Sequence, residues 1–375
     1  ADDNVIIGNR IGTDATGTIA IGNWLSGILV RNGADGTVIG GLTAAERNIV
    51  SGNVYDGIDI SAASTTGTVV RGNHIGIDAS GLVALGNGLY GIAVSDGASG
   101  TIIGGTSAAA GNVISGNGLD GIIIDATATA ATIEHNFIGT RADGLAAIAN
   151  GEFGVRIDGA DNVVRNNLIS GNASAGVWIT GANAVGNLVA GNGICIDATG
   201  SAALGNGVIG VIVIDGASQT VIGGTTDADR NVISGNGNSG IQLMDTTDTL
   251  VIGNFIGTDA SGMTALGNQF GIVVFLAGSG NQIGGATAGA GNVIAGNQQR
   301  GVFIIETSNR VTVQGNLIGV GTDGSTVLGG GDTLIEINQS SGALIGTDAD
   351  GVDDAAEGNV IATSDSLGFP ATGIL

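Results

Sequence analysis

The chain has 375 residues, 73 of them glycine and one proline; 43% are hydrophobic but only 3% aromatic. Ten arginines and no lysine stand against 33 acidic residues, a formal net charge of −23 that excludes nucleic acid and anionic membranes as partners. No run approaches the ~18 apolar residues of a spanning helix, so no membrane insertion is expected. The single cysteine, Cys195, permits no internal disulfide, and the opening Ala-Asp-Asp-Asn is not a signal peptide. Abundant glycine with a strict period and little proline argues for a stacked repeat over disorder or collagen.

The first recurring phrase runs Ile11-Gly-Thr-Asp-Ala-Thr-Gly and is followed by Ala20-Ile-Gly-Asn. It returns at Ile75, Ile138, Ile194, Ile256 and Ile318, a spacing of 62 to 64 residues except for 56 between Ile138 and Ile194. A second phrase alternates with it, clearest at 112–124, where Val113-Ile and Ile122-Ile-Ile flank a polar Ser-Gly-Asn-Gly-Leu-Asp-Gly corner. Near-copies lie at 48–60, 167–179, 231–243 and 292–304. Val and Ile suit a pleated strand, whereas Gly and Asn tolerate the positive φ of a tight corner.

Each period therefore holds two rungs of three strands. The plain rung reads Asn48-Ile-Val, Gly57-Ile-Asp-Ile and Thr68-Val-Val. The decorated rung reads Asn73-His-Ile, Gly91-Ile-Ala-Val and Thr101-Ile-Ile-Gly, with an Asp-Ala-Ser-Gly loop after its first strand and an insertion at 105–111 after its third. The short period lacks the second insertion, because 161–167 runs straight on. Taking Asn9, Asn48, Asn73, Asn112, Asn136, Asn167, Asn192, Asn231, Asn254, Asn292, Asn316 and Asn359 as rung starts gives twelve rungs. The expected fold is all-β: a single parallel β-solenoid over 1–375, Ile and Val inward, corner Asn stacked into amide ladders. The terminal stretches 1–8 and 359–375 read as incomplete or uncapped rungs, which suggests either a cut from a longer protein or end-to-end stacking into fibres.

Asn-Val-Ile-Ser-Gly-Asn followed by Gly-Ile-x-Ile resembles the right-handed parallel β-helix repeat of pectate-lyase-like proteins. The alternating Ile-Gly-Thr-Asp-Ala-Thr-Gly and Ile-Gly-Gly-Thr phrases resemble large secreted or surface-attached bacterial proteins. The resemblance implies a right-handed β-helix and an extracellular, cell-surface setting. It leaves function open among lyases, epimerases, glycosidases, tailspikes, adhesins and stalks.

Abstracting a proton next to a carboxylate needs a base and a group that neutralises the substrate. With no lysine, the pool is His74, His135, Tyr55, Tyr90 and the arginines. His74 and His135 are expected on the outer face, and Arg141 replaces the Asp of the usual loop. The catalytic candidates are therefore His135, Arg141, Glu134 and Asp143 in one outer-face groove. Asp14, Asp78, Asp197 and Asp259 fall in one column and are the calcium candidates, although their turn geometry alone explains them. Otherwise no cofactor is expected. Tyr55, Tyr90 and Phe153, assigned to equivalent corners before Gly57, Gly91 and Gly154, could stack on sugar rings.

The regularity favours a non-catalytic structural or adhesive module, with self-association end to end as the partner relationship. The alternatives are a polysaccharide-acting enzyme (uronate lyase, epimerase or glycoside hydrolase) and a carbohydrate-binding tailspike-like module.

Overall fold

The computed structural model describes residues 2–363 and 372–375; part of the expected terminal rung 359–375 thus lies outside the described residues. The strands sort into three parallel series of twelve, six of each in two compact units, Ala1–Ile179 and Thr180–Leu375. Sheet 1 contains the strand after each rung-start Asn, such as Ile49–Val50 and Val113–Ile114. Sheet 2 contains the Gly-Ile-x-Ile strands, such as Ile58–Ser61 and Ile122–Ile124. Sheet 3 contains the third strands, such as Val69–Val70 and Thr132–Glu134. Among the described residues helix is confined to single turns, such as Ala108–Ala110 and Asp227–Asp229 in the insertions, and none is long and apolar enough to cross a membrane.

Alternation decides which side chains enter the core. In Ile28–Arg31, Ile28 and Val30 are buried while Leu29 and Arg31 are exposed. The register keeps each inward residue over its copy: Ile39 on Val70, Val70 on Ile103, Ile103 on Ile133. Neighbouring rungs lie ~4.8 Å apart, so these aliphatic columns are continuous and no single rung could bury its own apolar face.

Two polar ladders run through this apolar interior. In the first unit, Asn48, Asn73, Asn112 and Asn136 each donate a backbone N–H and a side-chain amide to the Oδ1 of the next rung's Asn. Asn53, Asn87 and Asn117 do the same at the corner between sheets 1 and 2. A buried amide must be satisfied, and only an identical residue one rung away does so with both its donors. In the second unit Cys195 occupies the Gly position of its phrase. Its sulfur is fully buried between Asn206 and Asn236, and burial pushes the thiol up to about 12.

The loops of the decorated rungs make contact across the plain rungs between them. Ala79 N–H donates to Gly17 O at 2.9 Å, and Ala142 N–H to Gly81 O at 2.9 Å; Ala260 to Gly200 (2.9 Å) and Thr322 to Gly262 (3.2 Å) repeat this in the second unit. Each loop is itself pinched by an antiparallel bridge, Thr13 with Ala20 and Ile77 with Ala84. The result is a stacked wall along one edge of sheet 1.

Candidate functional site

The catalytic quartet expected from sequence separates into two pairs. Glu134 and His135 lie at the corner from sheet 3 to sheet 1. Glu134 is buried, and its Oε1 lies 3.4 Å from Arg165 Nε, 3.6 Å from His135 Nδ1 and 3.3 Å from Asn166 Nδ2. His135 adopts left-handed backbone at φ +59, and its Nδ1 donates to Gly105 O at 2.9 Å. Arg141 and Asp143 lie in the loop beyond the next strand, paired with each other at 2.9 Å. Alternation along a strand cannot place corner residues, and both candidates straddle a corner.

His74 does lie on the outer face of sheet 1, in register with Ile49 and Val113. The outer-face position does not make the imidazole accessible, because its own loop roofs it. It is 3% exposed, with Nδ1 3.2 Å from Asp78 O. Burial, aided by the charge of Arg47, lowers its pKa to about 4. It is a neutral packing residue, as Phe137 and Phe255 are at the corresponding positions of other rungs.

The four column aspartates are satisfied within their own loops. Asp14 Oδ1 accepts from Thr18 and Ile19 N–H, both at 3.0 Å, and Oδ2 from Thr16 Oγ1 at 2.7 Å; these bonds, the Thr16 hydroxyl first, lower its pKa to about 2. Asp78, Asp197 and Asp259 make the corresponding bonds to Val83, Ala202 and Thr264. Among the described residues the carboxylates that converge are instead Asp348, Asp350 and Asp354, with ligand oxygens within 4.8 Å of one another.

The aromatic stripe also needs correction. Backbone hydrogen bonds Gly57 to Tyr90 (2.9 Å), Gly91 to Asp120 (3.1 Å) and Gly121 to Phe153 (2.9 Å) place Asp56, Tyr90, Asp120 and Phe153 in one column at the entry to sheet 2. Tyr55 belongs to the adjacent column, one position earlier, with Leu89, Leu119 and Glu152. It stands two residues before its Gly, not one.

This entry column and the outer face of sheet 2 beside it bring acids, an arginine and aromatic side chains together in the first unit. The register sets Asp59, Ala93, Ile123, Arg156 and Trp178 in a row. Asp120 is 1% exposed. Its Oδ1 accepts from Phe153 N–H at 3.0 Å, and its Oδ2 is buried with no hydrogen-bond partner. Burial, reinforced by the nearby charges of Glu152 and Asp158, raises its pKa to about 6 against the opposing Phe153 N–H and Arg156. Asp56 and Asp59 are also raised, again chiefly by burial. Burial and then the Asp120 charge raise the Tyr90 phenol, so it keeps its proton and can donate. Arg156 grips Asp158 through two bonds of 3.0 and 2.9 Å. Phe153 stacks on Trp178 with centroids 4.5 Å apart and planes at 20°, forming a partly exposed apolar step beside the acids.

Comparison with known proteins agrees with this architecture. Residues 84–256 match the family model for a right handed beta helix region, and the fold is a right-handed parallel β-helix of about twelve rungs, as the repeats imply. The comparison with curated proteins found no match. Among solved structures, the periplasmic alginate epimerase AlgG is similar at 12% identity, over 93% of this chain and 77% of that one, with a TM-score of 0.50. A DFA-IIIase from Arthrobacter chlorophenolicus A6 in complex with GF2 has 16% identity over 97% and 89%, TM-score 0.45. The A-module of the Azotobacter vinelandii mannuronan C-5 epimerase AlgE6 has 17% identity over 92% and 90%, TM-score 0.38. At these identities the likeness is one of fold.

Proposed function

We propose that the chain is an extracytoplasmic glycan-acting enzyme, with the glycan lying across the outer face of sheet 2 in the first unit. The observation that carries this is Asp120, a buried carboxyl with an unpartnered oxygen whose pKa of about 6 leaves it half protonated at mildly acidic pH and about one-tenth protonated at pH 7. Buried groups of this kind lower stability and are kept where proton transfer needs them. The non-catalytic module suggested by regularity accounts for the Phe153 N–H bond to Oδ1, which Asp56 repeats with Tyr90, but gives no reason for a buried, unpartnered Oδ2.

Tyr90 and Glu152 flank Asp120 at the surface, and the Phe153–Trp178 step offers a flat apolar face to a sugar ring. In this reading Asp120 gives its proton to the departing glycosidic oxygen, and the exposed Glu152 carboxylate, one rung on, takes a proton from the attacking water. That division of labour between two carboxyls is glycoside hydrolysis. The structure with the TM-score of 0.50 is named as an alginate epimerase, but a polyuronate would meet five carboxyls here, with Arg156 already bound to Asp158. Charge therefore favours a neutral glycan over a polyuronate.

The test is a panel of neutral glycans (inulin, laminarin, xylan, starch) and polyuronates (alginate, polygalacturonate), read by new reducing ends. Hydrolysis of a neutral glycan, lost in Asp120→Asn with binding retained, is the expected result. Turnover restricted to polyuronates, or hydrolysis unchanged in Asp120→Asn, would overturn the assignment. Binding that depends on Trp178 without turnover by the unaltered chain would identify a carbohydrate-binding module instead.

A further inference from the structure

Arg71 lies on the outer face of sheet 3, and its Nε is buried with no hydrogen-bond partner. The other arginines with buried, unpartnered Nε atoms are held elsewhere: Arg141 by Asp143, and Arg230 by Asp227 and the Phe255 ring. Among the described residues no acid is bonded to Arg71, and the carboxylate that feels its charge is Glu46. Its Oε2 already accepts from Leu42 N–H, Thr43 N–H and the Thr43 hydroxyl at 2.9–3.1 Å.

The sheet register explains the space around Arg71. Val70 pairs with Ile103, Gly104 with Glu134, and Glu134 with Arg165, so Arg71, Gly104, Glu134 and Arg165 follow one another up one column. Gly104 has no side chain, which leaves an opening two rungs wide, roughly 10 Å, between Arg71 and Glu134. The parallel column supplies an apolar floor of Val69 and Ile102, and the insertions supply walls through Leu42 and Ala110. The groove is open to solvent and has a volume of about 430 Å³. His135 fixes one wall by holding Gly105 O, and Arg165 neutralises Glu134 at the far end.

We infer that this groove is a binding site for a small carboxylic acid with a compact apolar body, its carboxylate received by Arg71. A guanidinium that lines an open groove and has no acid bonded to it among the described residues matches a carboxylate and gains charge-assisted bonds from it. Val69, Ile102, Leu42 and Ala110 would cover an alkyl or ring body, and the volume lies at the small end of ligand pockets, too small for an oligosaccharide. The site is on a different sheet from Asp120 and stands independently of the glycan reading.

The probe is hexanoate, titrated calorimetrically into the full chain, with hexanol as its uncharged counterpart. Hexanoate should bind at one site, with hexanol at least about tenfold weaker. Arg71→Gln should lose a similar factor, and Ile102→Glu, which places a carboxylate on the floor, should abolish binding. Asp120→Asn should leave hexanoate binding unchanged. Circular dichroism identifies a variant that fails to fold, and the remaining variant then decides. No hexanoate binding to the unaltered chain, or binding that survives folded Arg71→Gln or Ile102→Glu, would overturn the site.

Discussion

Asn73 reaches Asn112 twice: its backbone N–H and its side-chain amide both donate to Asn112 Oδ1, at 3.0 Å each. Asn112 passes the pattern on to Asn136 and also donates to Val70 O at 2.8 Å. Asn112→Ala removes four buried hydrogen bonds and takes from the Asn73 backbone N–H its acceptor, and should cost roughly 2–5 kcal/mol. Asn9→Ala, at an exposed end of the same ladder, should cost about 1 kcal/mol or less. Urea denaturation of both variants measures the difference; equal losses would mean that burial of the ladder is not what holds it.

Asp120 makes a pH-dependent contribution of the opposite kind. Its carboxyl holds a proton to about pH 6 in the folded chain, against 3.8 ordinarily. The folded state therefore binds more protons across that window, and stability falls as pH rises through it, remaining lower above. Asp120→Asn should raise stability at pH 7 by up to roughly 3 kcal/mol, with the gain fading below pH 4. Thermal melts at pH 3.5 and 7 are sufficient.

His74 loses stability on the acid side. Its folded pKa of about 4 lies below the ordinary 6.5, so between those values the unfolded chain takes up a proton that the folded chain refuses. Stability should fall as pH drops from 6.5 toward 4 and be unaffected by this residue above. His74→Phe, borrowing the residue at the Phe137 and Phe255 positions, should remove that share of the acid sensitivity. A melt series from pH 4 to 7 with an unchanged slope would refute this.

Two glycines with similar backbone separate steric from conformational cost. Gly104 has φ +98, and a Cβ there would collide with the carbonyl oxygen of Glu134 one rung above; Gly67 has φ +63 with nothing within 4 Å. Gly67→Ala should cost about 1–2 kcal/mol from left-handed strain. Gly104→Ala should cost roughly 2–5 kcal/mol, because overpacking against backbone adds to that strain.

Cys195 should be inert while the chain is folded. Complete burial and a pKa pushed up to about 12 leave neither access nor thiolate. A thiol-reactive dye should label it only in denaturant, and stoichiometric labelling of the native chain would contradict its placement.

The rung starts, the three strands of each rung and the two insertions were legible because every copy repeats the same Asn, Gly and aliphatic positions. The site was less so. Tyr90 and Phe153 could be named because aromatic residues are rare in this chain, but Asp120 between them looks like any turn aspartate. Its place in their column follows only from aligning Tyr90-Gly, Asp120-Gly and Phe153-Gly before the sheet 2 strands. Arg156 and Trp178 acquire meaning through sheet register, and the pairing of Glu134 with Arg165 across a rung is invisible to spacing along the chain. Arg71 stands out only because every nearby carboxylate is already occupied.

The stacked wall bears on how such a chain can change length. Ala79 rests on Gly17 and Ala142 on Gly81, each link spanning an intervening undecorated coil. Removal of a single coil would bring two loops to half their natural spacing, or leave one loop with no neighbour to lean on. Excision of residues 73–135 as a block would restore both the amide ladder and the loop contacts, because Asn136 would follow Gly72 as Asn73 does now. The heritable module of this protein is therefore the couplet of coils, and viable length variants should differ by whole couplets.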